Sequence, residues 1–269
     1  MLTILTPTWN RRHTLPRLYE SLQAQTDQNF EWLVVDDGST DDTAAWVESC
    51  GRTAAFPVRL VRQDNSGKHV ALNTGVVAAQ GEWIFIVDSD DLLTADAVEV
   101  AVCTLDSTWG DRDVVGLCFR RAALDGSLLG CPCADAPEPL IDTPTRVGRR
   151  VVGDLAYIFR RDVMARLPFP VIPGEKFVPE LYIWNKIGDQ GQIWFYLHRA
   201  IYLCEYLDDG YTRNFSAHLK RNPRGFLLFY AAQIARDPTV VGKGKAMVRS
   251  LQCLVYCVRK RFFRGAPGV

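Results

Sequence analysis

At 269 residues the chain is long enough to bury a substantial core in one large α/β domain or two small ones. Lys plus Arg and Asp plus Glu both total 31, and this zero formal net charge argues against a general nucleic-acid binder, which would carry a basic excess. Neither a stretch of about 18 uncharged apolar residues nor a basic leader before a long apolar segment occurs, so no transmembrane helix and no signal peptide are expected. The charge is nevertheless uneven, with acids gathered at 36–42 and 88–96 and Lys and Arg enriched in the last third.

Strand and helix signals alternate over the first ~105 residues. Thr3 to Thr6 reads as a short strand leading into Pro7-Thr8-Trp9-Asn10. Leu15, Leu18 and Leu22 then recur at helical spacing, with Pro16 tolerated in a first turn. A second strand over 31–35 ends in Asp36-Asp37-Gly38-Ser39, and Thr40 or Asp41 is positioned to cap a helix through Trp46 and Val47. Val58 to Arg62 is a third strand, and 67–79 a helix closed by Gly81. The fourth strand is the apolar run Trp83-Ile-Phe-Ile-Val87, which breaks into Asp88-Ser-Asp90-Asp91 before a helix through Leu105 that Thr94, or Asp91 among the acids, is positioned to cap. This βαβαβαβ order predicts a mostly parallel sheet with right-handed crossovers.

Beyond residue 110 the pattern changes. Strands are expected over 113–120, 151–159 and 192–205, with a short helix over 180–187. The Gly-, Pro- and Cys-rich stretch 125–148 has no clear period and reads as a long loop or lid. From Met247 to Arg264, Met247, Leu251, Leu254, Val255, Val258 and Phe262 share a helical face among basic residues. Such a helix either lies on an anionic membrane surface or packs on the domain with a solvated basic end. With no export signal, the eight cysteines are expected to be reduced thiols in the cytosol. Cys131-Pro-Cys133 is too tight and isolated for a usual zinc pair.

The chemistry lies where three strands leave the core. An apolar run that short is a buried strand, and acids at its exit stand at the C-terminal edge of a sheet, where open α/β folds bind ligands. Asp88 and Asp90 are therefore placed to hold a divalent cation against a nucleotide diphosphate. Lys68, opening a helix just before them, can neutralise phosphate as a point cation. Individually these signals are ordinary, since Asp-Gly-Ser is turn chemistry and Asp-x-Asp is common. Their order and spacing are not.

In Thr6-Pro-Thr-Trp-Asn-Arg11, Val34-Val-Asp-Asp-Gly-Ser-Thr-Asp41, Asn65-Ser-Gly-Lys-His-Val-Ala-Leu-Asn73 and Val87-Asp-Ser-Asp-Asp91 the sequence resembles the family 2 glycosyltransferases. The likeness is dense over 1–105 and thinner over 174–226. It implies a GT-A (Rossmann-like) α/β fold: a mostly parallel sheet flanked by helices with a C-terminal acceptor-side region. The expected division is a 1–240 domain (1–105 the nucleotide-sugar half, 106–240 the acceptor half) followed by a basic amphipathic helix and tail at 241–269. By the same resemblance Asp90 ligates Mn²⁺ or Mg²⁺, Asp88 contacts the ribose or the metal shell, Asp37 accepts from the base, and Pro7 and Trp9 line the base pocket. Arg213 and His218 would complete the diphosphate or metal site. Glu180, in Phe177-Val-Pro-Glu180-Leu-Tyr-Ile-Trp184, takes the place of the general base, although Pro179 replaces the first acid of the commoner Glu-Asp pair.

The implied activity is metal-dependent, inverting transfer of a sugar from a nucleoside-diphosphate sugar, UDP-sugars favoured, to a hydroxyl of a glycan, lipid-linked or small-molecule acceptor. Cell-surface glycan synthesis by a cytoplasmic enzyme, with peripheral contact at the inner face of the membrane, suits the basic tail. The rivals are a sugar nucleotidyltransferase, whose glycine-rich loop after the first strand is missing here, and a non-catalytic sugar-nucleotide-binding scaffold. Oligomeric state is left open.

Overall fold

The computed structural model describes residues 1–108, 110–111, 113–204 and 215–264, with 261–264 as helical backbone. In chain order the first half comprises β1 (Leu2–Thr8), α1 (Leu15–Gln23), β2 (Phe30–Asp36), α2 (Thr43–Cys50), β3 (Val58–Arg62), α3 (Lys68–Ala78), β4 (Trp83–Ile86), β5 (Leu92–Leu93) and α4 (Ala97–Ser107). The second comprises β6 (Val114–Ala122), β7 (Leu140–Ile141), α5 (Pro144–Val151), β8 (Leu155–Arg160), α6 (Arg161–Arg166), α7 (Leu181–Gly188), β9 (Gln192–Leu203), α8 (Phe215–Arg221), α9 (Pro223–Arg236) and α10 (Val240–Arg264).

Every residue of β1 and β2 is buried, because these strands lie inside one sheet with helices on both faces. Alternate side chains divide between two cores. Leu5, Leu33, Ile84 and Ile86 pack on one side with Leu72 of α3, Met164 of α6 and Trp184 of α7. Ile4, Val34 and Phe85 pack on the other with Leu18 of α1, Val47 of α2 and Val98 of α4. The result is a helix–sheet–helix sandwich.

The sheet runs β3-β2-β1-β4-β8-β6-β9-β5, with β7 on β9. β1, β2, β3 and β4 are parallel. β8 is antiparallel to both β4 and β6, so β6 returns to the common direction, and β9 pairs parallel to β6. β8 and the two-residue strands β5 and β7 run the other way. The predicted parallel order is therefore present over the first half, and the full sheet is mixed. One consequence governs the site: β1, β2, β4, β6 and β9 all end at the same edge.

The structure differs from the sequence reading at several element ends. The 125–148 stretch is not one loop, since it contains β7 and most of α5. Thr143 begins that helix by accepting from the Arg146 amide, and Pro144 fits its first turn. Val151, expected to start a strand, instead ends α5. The N-cap of α4 is Asp96, not Asp91 or Thr94. The last helix begins at Val240, and its Cys253 packs with Phe226 of α9 and Leu219 of α8 in a small third cluster. No described helix is long and apolar enough to cross a membrane.

Candidate active site

Register alone brings the motifs at 6–11, 34–41 and 87–91 together. Thr8 pairs with Asp36 across β1 and β2, and the Asp37 amide donates to the Thr8 carbonyl at 2.8 Å. The Val87 amide donates to the Leu5 carbonyl, carrying β4 one residue further and releasing the chain at Asp88. Asn10, at φ 53°, locks the first two turns to each other. Its amide donates to Ser39 Oγ at 2.8 Å, and its Oδ1 accepts from the Thr40 amide at 2.8 Å.

The motif at 65–73 is held by Asp37. Its buried carboxylate accepts from Gln63 Nε2 (2.7 Å), the Ser66 amide (2.8 Å) and the Gly67 amide (2.7 Å), fixing the start of α3. A carboxylate offers about four lone-pair positions, so one remains for a ligand. Gly67 has φ 98°, and a Cβ there would run into the Lys176 carbonyl; glycine is required on both counts. Lys68 is thereby presented at the first position of α3.

Lys68 Nζ bridges two carboxylates, Asp88 Oδ1 at 2.5 Å and Glu180 Oε1 at 2.7 Å. Burial alone would lower its pKa, but Asp88 and Glu180 outweigh burial and hold it above the ordinary lysine value, so it stays cationic. Glu180 stands at the N-terminus of α7 without making a side-chain capping bond; its carboxylate turns to Lys68 instead.

Behind Asp88 lies a second layer that the sequence reading did not find. Arg121, at the end of β6, faces Asp88 Oδ2 at 3.8 Å and Asp91 Oδ2 at 3.3 Å. Its guanidinium lies 4.1 Å from the ring centroid of Tyr202, near the end of β9. The Tyr202 hydroxyl donates to Asp91 Oδ2 (2.7 Å) and accepts from the Asp88 amide (2.9 Å). Burial raises the Asp88 pKa, but Lys68, Arg121 and Arg11 more than offset it, and the group is held below the ordinary value as an anion. Asp91 goes the other way. Burial first, then the neighbouring Asp88 charge, pushes it up to about 7 despite Arg121.

Asp37, Lys68, Asp88 and Glu180 line one cleft of about 850 Å³, with Arg121, Asp91 and Tyr202 behind its wall. Of the residues singled out in the sequence, Pro7, Trp9, Asp37, Lys68, Asp88, Asp90, Glu180 and His218 all face it. Trp9 is half exposed on its wall. Arg213 lies outside the described residues. His69 is elsewhere, buried beside Phe169 at 6.3 Å between ring centroids, where burial lowers its pKa. Asn73 clamps α3 to the Phe169 backbone through two hydrogen bonds. The cleft also includes Thr8, Arg11, Asn65, Lys176, Phe177 and Arg221, none of which was singled out for it. For Arg121 the signal was faint: a charged residue ending an apolar strand, interpretable once β6 is known to run with β4.

The fit to a cation is specific in kind. Among the described residues no group of three or more His, Cys, Asp or Glu side chains forms a protein-only metal cage. Mg²⁺-type sites beside phosphates commonly use one or two carboxylates, with waters and substrate oxygens completing the shell. Asp90 suits that arrangement, with 30% of its side chain exposed on the cleft and a long 3.9 Å pair to Arg11. Asp88 is committed to Lys68 and Arg121. His218 lines the same cleft, and burial followed by Arg221 lowers its pKa, favouring the neutral imidazole that a metal requires.

Comparison with known proteins gives one consistent neighbourhood. Residues 3–124 match the model of glycosyl transferase family 2. An uncharacterized glycosyltransferase of Haemophilus influenzae is 36% identical over 100 residues, 37% of this chain and 32% of that protein. The match to a Rickettsia felis relative, also an uncharacterized glycosyltransferase, spans 16% of its length, so the chain covers a minor part of the curated relatives it matches first. Staphylococcus aureus TarS 1–349 in complex with UDP-GlcNAc superposes with a TM-score of 0.68 at 20% identity, over 94% of this chain and 72% of that one. The Pyrobaculum calidifontis mannosyltransferase PcManGT, in complex with GDP-Man and Mn²⁺, gives 0.62 at 21% identity, over 100% of this chain and 76% of that one. At such identities the structural likeness shows the fold, which is GT-A.

Proposed function

We propose that this chain, whose residues 3–124 belong to glycosyl transferase family 2, transfers a sugar with inversion from a nucleoside-diphosphate sugar to an acceptor hydroxyl. The observation that supports this best is the Lys68 bridge, which links the donor-side Asp88 to the acceptor-side Glu180 across one cleft. In this reading Trp9 and Pro7 flank the base, Asp37 accepts from it, and Asp88 meets the ribose. Asp90, with His218, holds Mn²⁺ or Mg²⁺, which when bound would neutralise charge developing on the departing diphosphate.

Glu180 is the general base. For an inverting displacement the acceptor oxygen attacks the anomeric carbon from the face opposite the leaving diphosphate, and a carboxylate must take its proton. Lys68 holds that carboxylate in place before donor arrives. As diphosphate enters, its negative charge competes for the same ammonium, releasing Glu180 toward the acceptor. The acceptor is a growing cell-surface glycan or glycoconjugate, and the favoured donor is a UDP-sugar. That TarS and PcManGT were solved with UDP-GlcNAc and GDP-Man supports the donor class.

The intact carboxylate set favours this over a non-catalytic scaffold. The test is to incubate purified chain with UDP- and GDP-sugars, Mn²⁺ and candidate acceptors while following nucleoside diphosphate release. Acceptor-stimulated release of UDP or GDP supports transfer. Release of pyrophosphate from nucleotide triphosphate and sugar phosphate would instead identify a nucleotidyltransferase.

A further inference from the structure

α10 is packed on the fold by the face opposite to its apolar stripe. Ala246, Ser250 and Cys253 are buried, and a Cβ on Gly242 would run into Asp237 and Arg149. The other side carries Val241, Met247, Val248, Leu251, Leu254, Val255 and Val258, all exposed; Leu251 is 63% and Val248 65% accessible. From Met247 to Val258 these positions recur every three to four residues and form one continuous stripe on a helix of 25 residues, with Val241 six residues before it. The stripe does not join α10 to the domain.

The charge of the same helix identifies what it fits. α10 has seven Lys or Arg and no Asp or Glu. Arg249 and Lys260 turn inward, Arg249 over the Phe215 ring and Lys260 donating to the Gly174 and Arg221 carbonyls at 3.1 and 2.7 Å. Lys243, Lys245 and Arg259 are exposed and, at 3.6 residues per turn, fall along the two margins of the stripe. Apolar side chains along the middle with long basic chains on both margins is the arrangement that enters a headgroup layer, the basic chains reaching out to lipid phosphates. A second copy of α10 fits poorly, because facing stripes would bring two all-basic helices together.

We propose that the outward face of α10 docks on an anionic lipid surface. Docking places the cleft beside that surface, since Gly174 and Arg221, which Lys260 ties to α10, both line it. This last step rests on the glycosyltransferase reading and points to an acceptor hydroxyl carried on a lipid; the docking itself does not depend on it.

Co-sedimentation of the full chain with vesicles tests the surface. Binding is expected to phosphatidylglycerol–phosphatidylcholine vesicles and not to phosphatidylcholine alone, weakening as salt screens the charges. Leu251→Glu with Val255→Glu should weaken it by roughly a hundredfold, and Lys243→Gln with Lys245→Gln by roughly tenfold or more. All four side chains are exposed, so the variants should unfold like wild type and bind UDP equally in calorimetry, which separates failure of docking from failure of the donor site. Vesicle binding that the Leu251→Glu, Val255→Glu variant leaves unchanged, or no binding at all, overturns the proposal. So does a wild-type dimer in light scattering that this variant converts to monomer, because the stripe would then be a protein interface.

Discussion

The two halves of the sheet reach the same cleft by different routes. In the first half, Trp9, Asp37 and Asp88 stand directly at strand ends, and their turns are tied by hydrogen bonds among neighbouring loops. In the second half, Glu180 enters the cleft from a helix start, while Arg121 and Tyr202, from two strands, back Asp88 from behind through tertiary packing. Where a site residue is placed by its own strand and turn, local sequence shows it. Where it is placed by a fold-wide arrangement, the partners become visible through geometry. The proposed function divides along the same line: donor side first, acceptor side second.

The contrast can be broken by substitutions on either side. Asp90→Asn removes a carboxylate with little structural role, so transfer should fall on the order of 10³-fold, if several kcal/mol of charge stabilisation depend on it. Thermal unfolding of the variant should match wild type. Glu180→Gln should lower kcat by roughly 10²- to 10⁴-fold, the usual range for a general base, with nucleotide binding retained in calorimetry. Wild-type turnover in that variant would move the base to another residue.

Arg121 probes the buried layer beneath both sides. Arg121→Met leaves Asp88 and Asp91 facing each other without their shared cation, and breaking such a buried pair costs about 3 kcal/mol or more. The denaturation midpoint should drop and the donor KM rise, with Arg121→Lys recovering part of both. Unchanged stability would mean that Arg121 does not hold the acids.

Much of this was legible beforehand because the parallel half follows simple periodicity. The apolar runs of β1, β2 and β4 mark buried strands, and acids at their ends mark the ligand edge. The second half resisted for physical reasons. The helix α5 is polar and carries Gly148 and two arginines in its last turn, so its period is hidden in a stretch that also contains Pro and Cys. Asp91 resembled a cap because it precedes a helix, yet its carboxylate turns inward to Arg121 and Tyr202, contacts more than 25 residues away in sequence. From Met247 to Val258 the stripe of α10 is the helical face expected from its spacing, but nothing in the sequence said which side would meet the domain.

A gentler probe uses the raised pKa of Asp91. Between its ordinary value of 3.8 and about 7, the folded state keeps a proton that the unfolded chain has lost. Stability attributable to this group therefore falls as pH rises through that window and levels off above it. Asp91→Asn removes the proton linkage, so unfolding midpoints across pH should show the variant gaining on wild type from acid to neutral pH. A difference that does not vary with pH would place the titration elsewhere.

In the proposed function Asp90 and the first-half turns form a metal-assisted nucleotide site facing Glu180. Calorimetric titration of the wild-type chain with UDP and GDP, each with Mn²⁺ and then with excess chelator, tests it most directly. Saturable binding of one nucleotide that requires Mn²⁺, is lost in Asp90→Asn and persists in Glu180→Gln is the predicted result. Equal binding with chelator present, or full binding by Asp90→Asn, would contradict it.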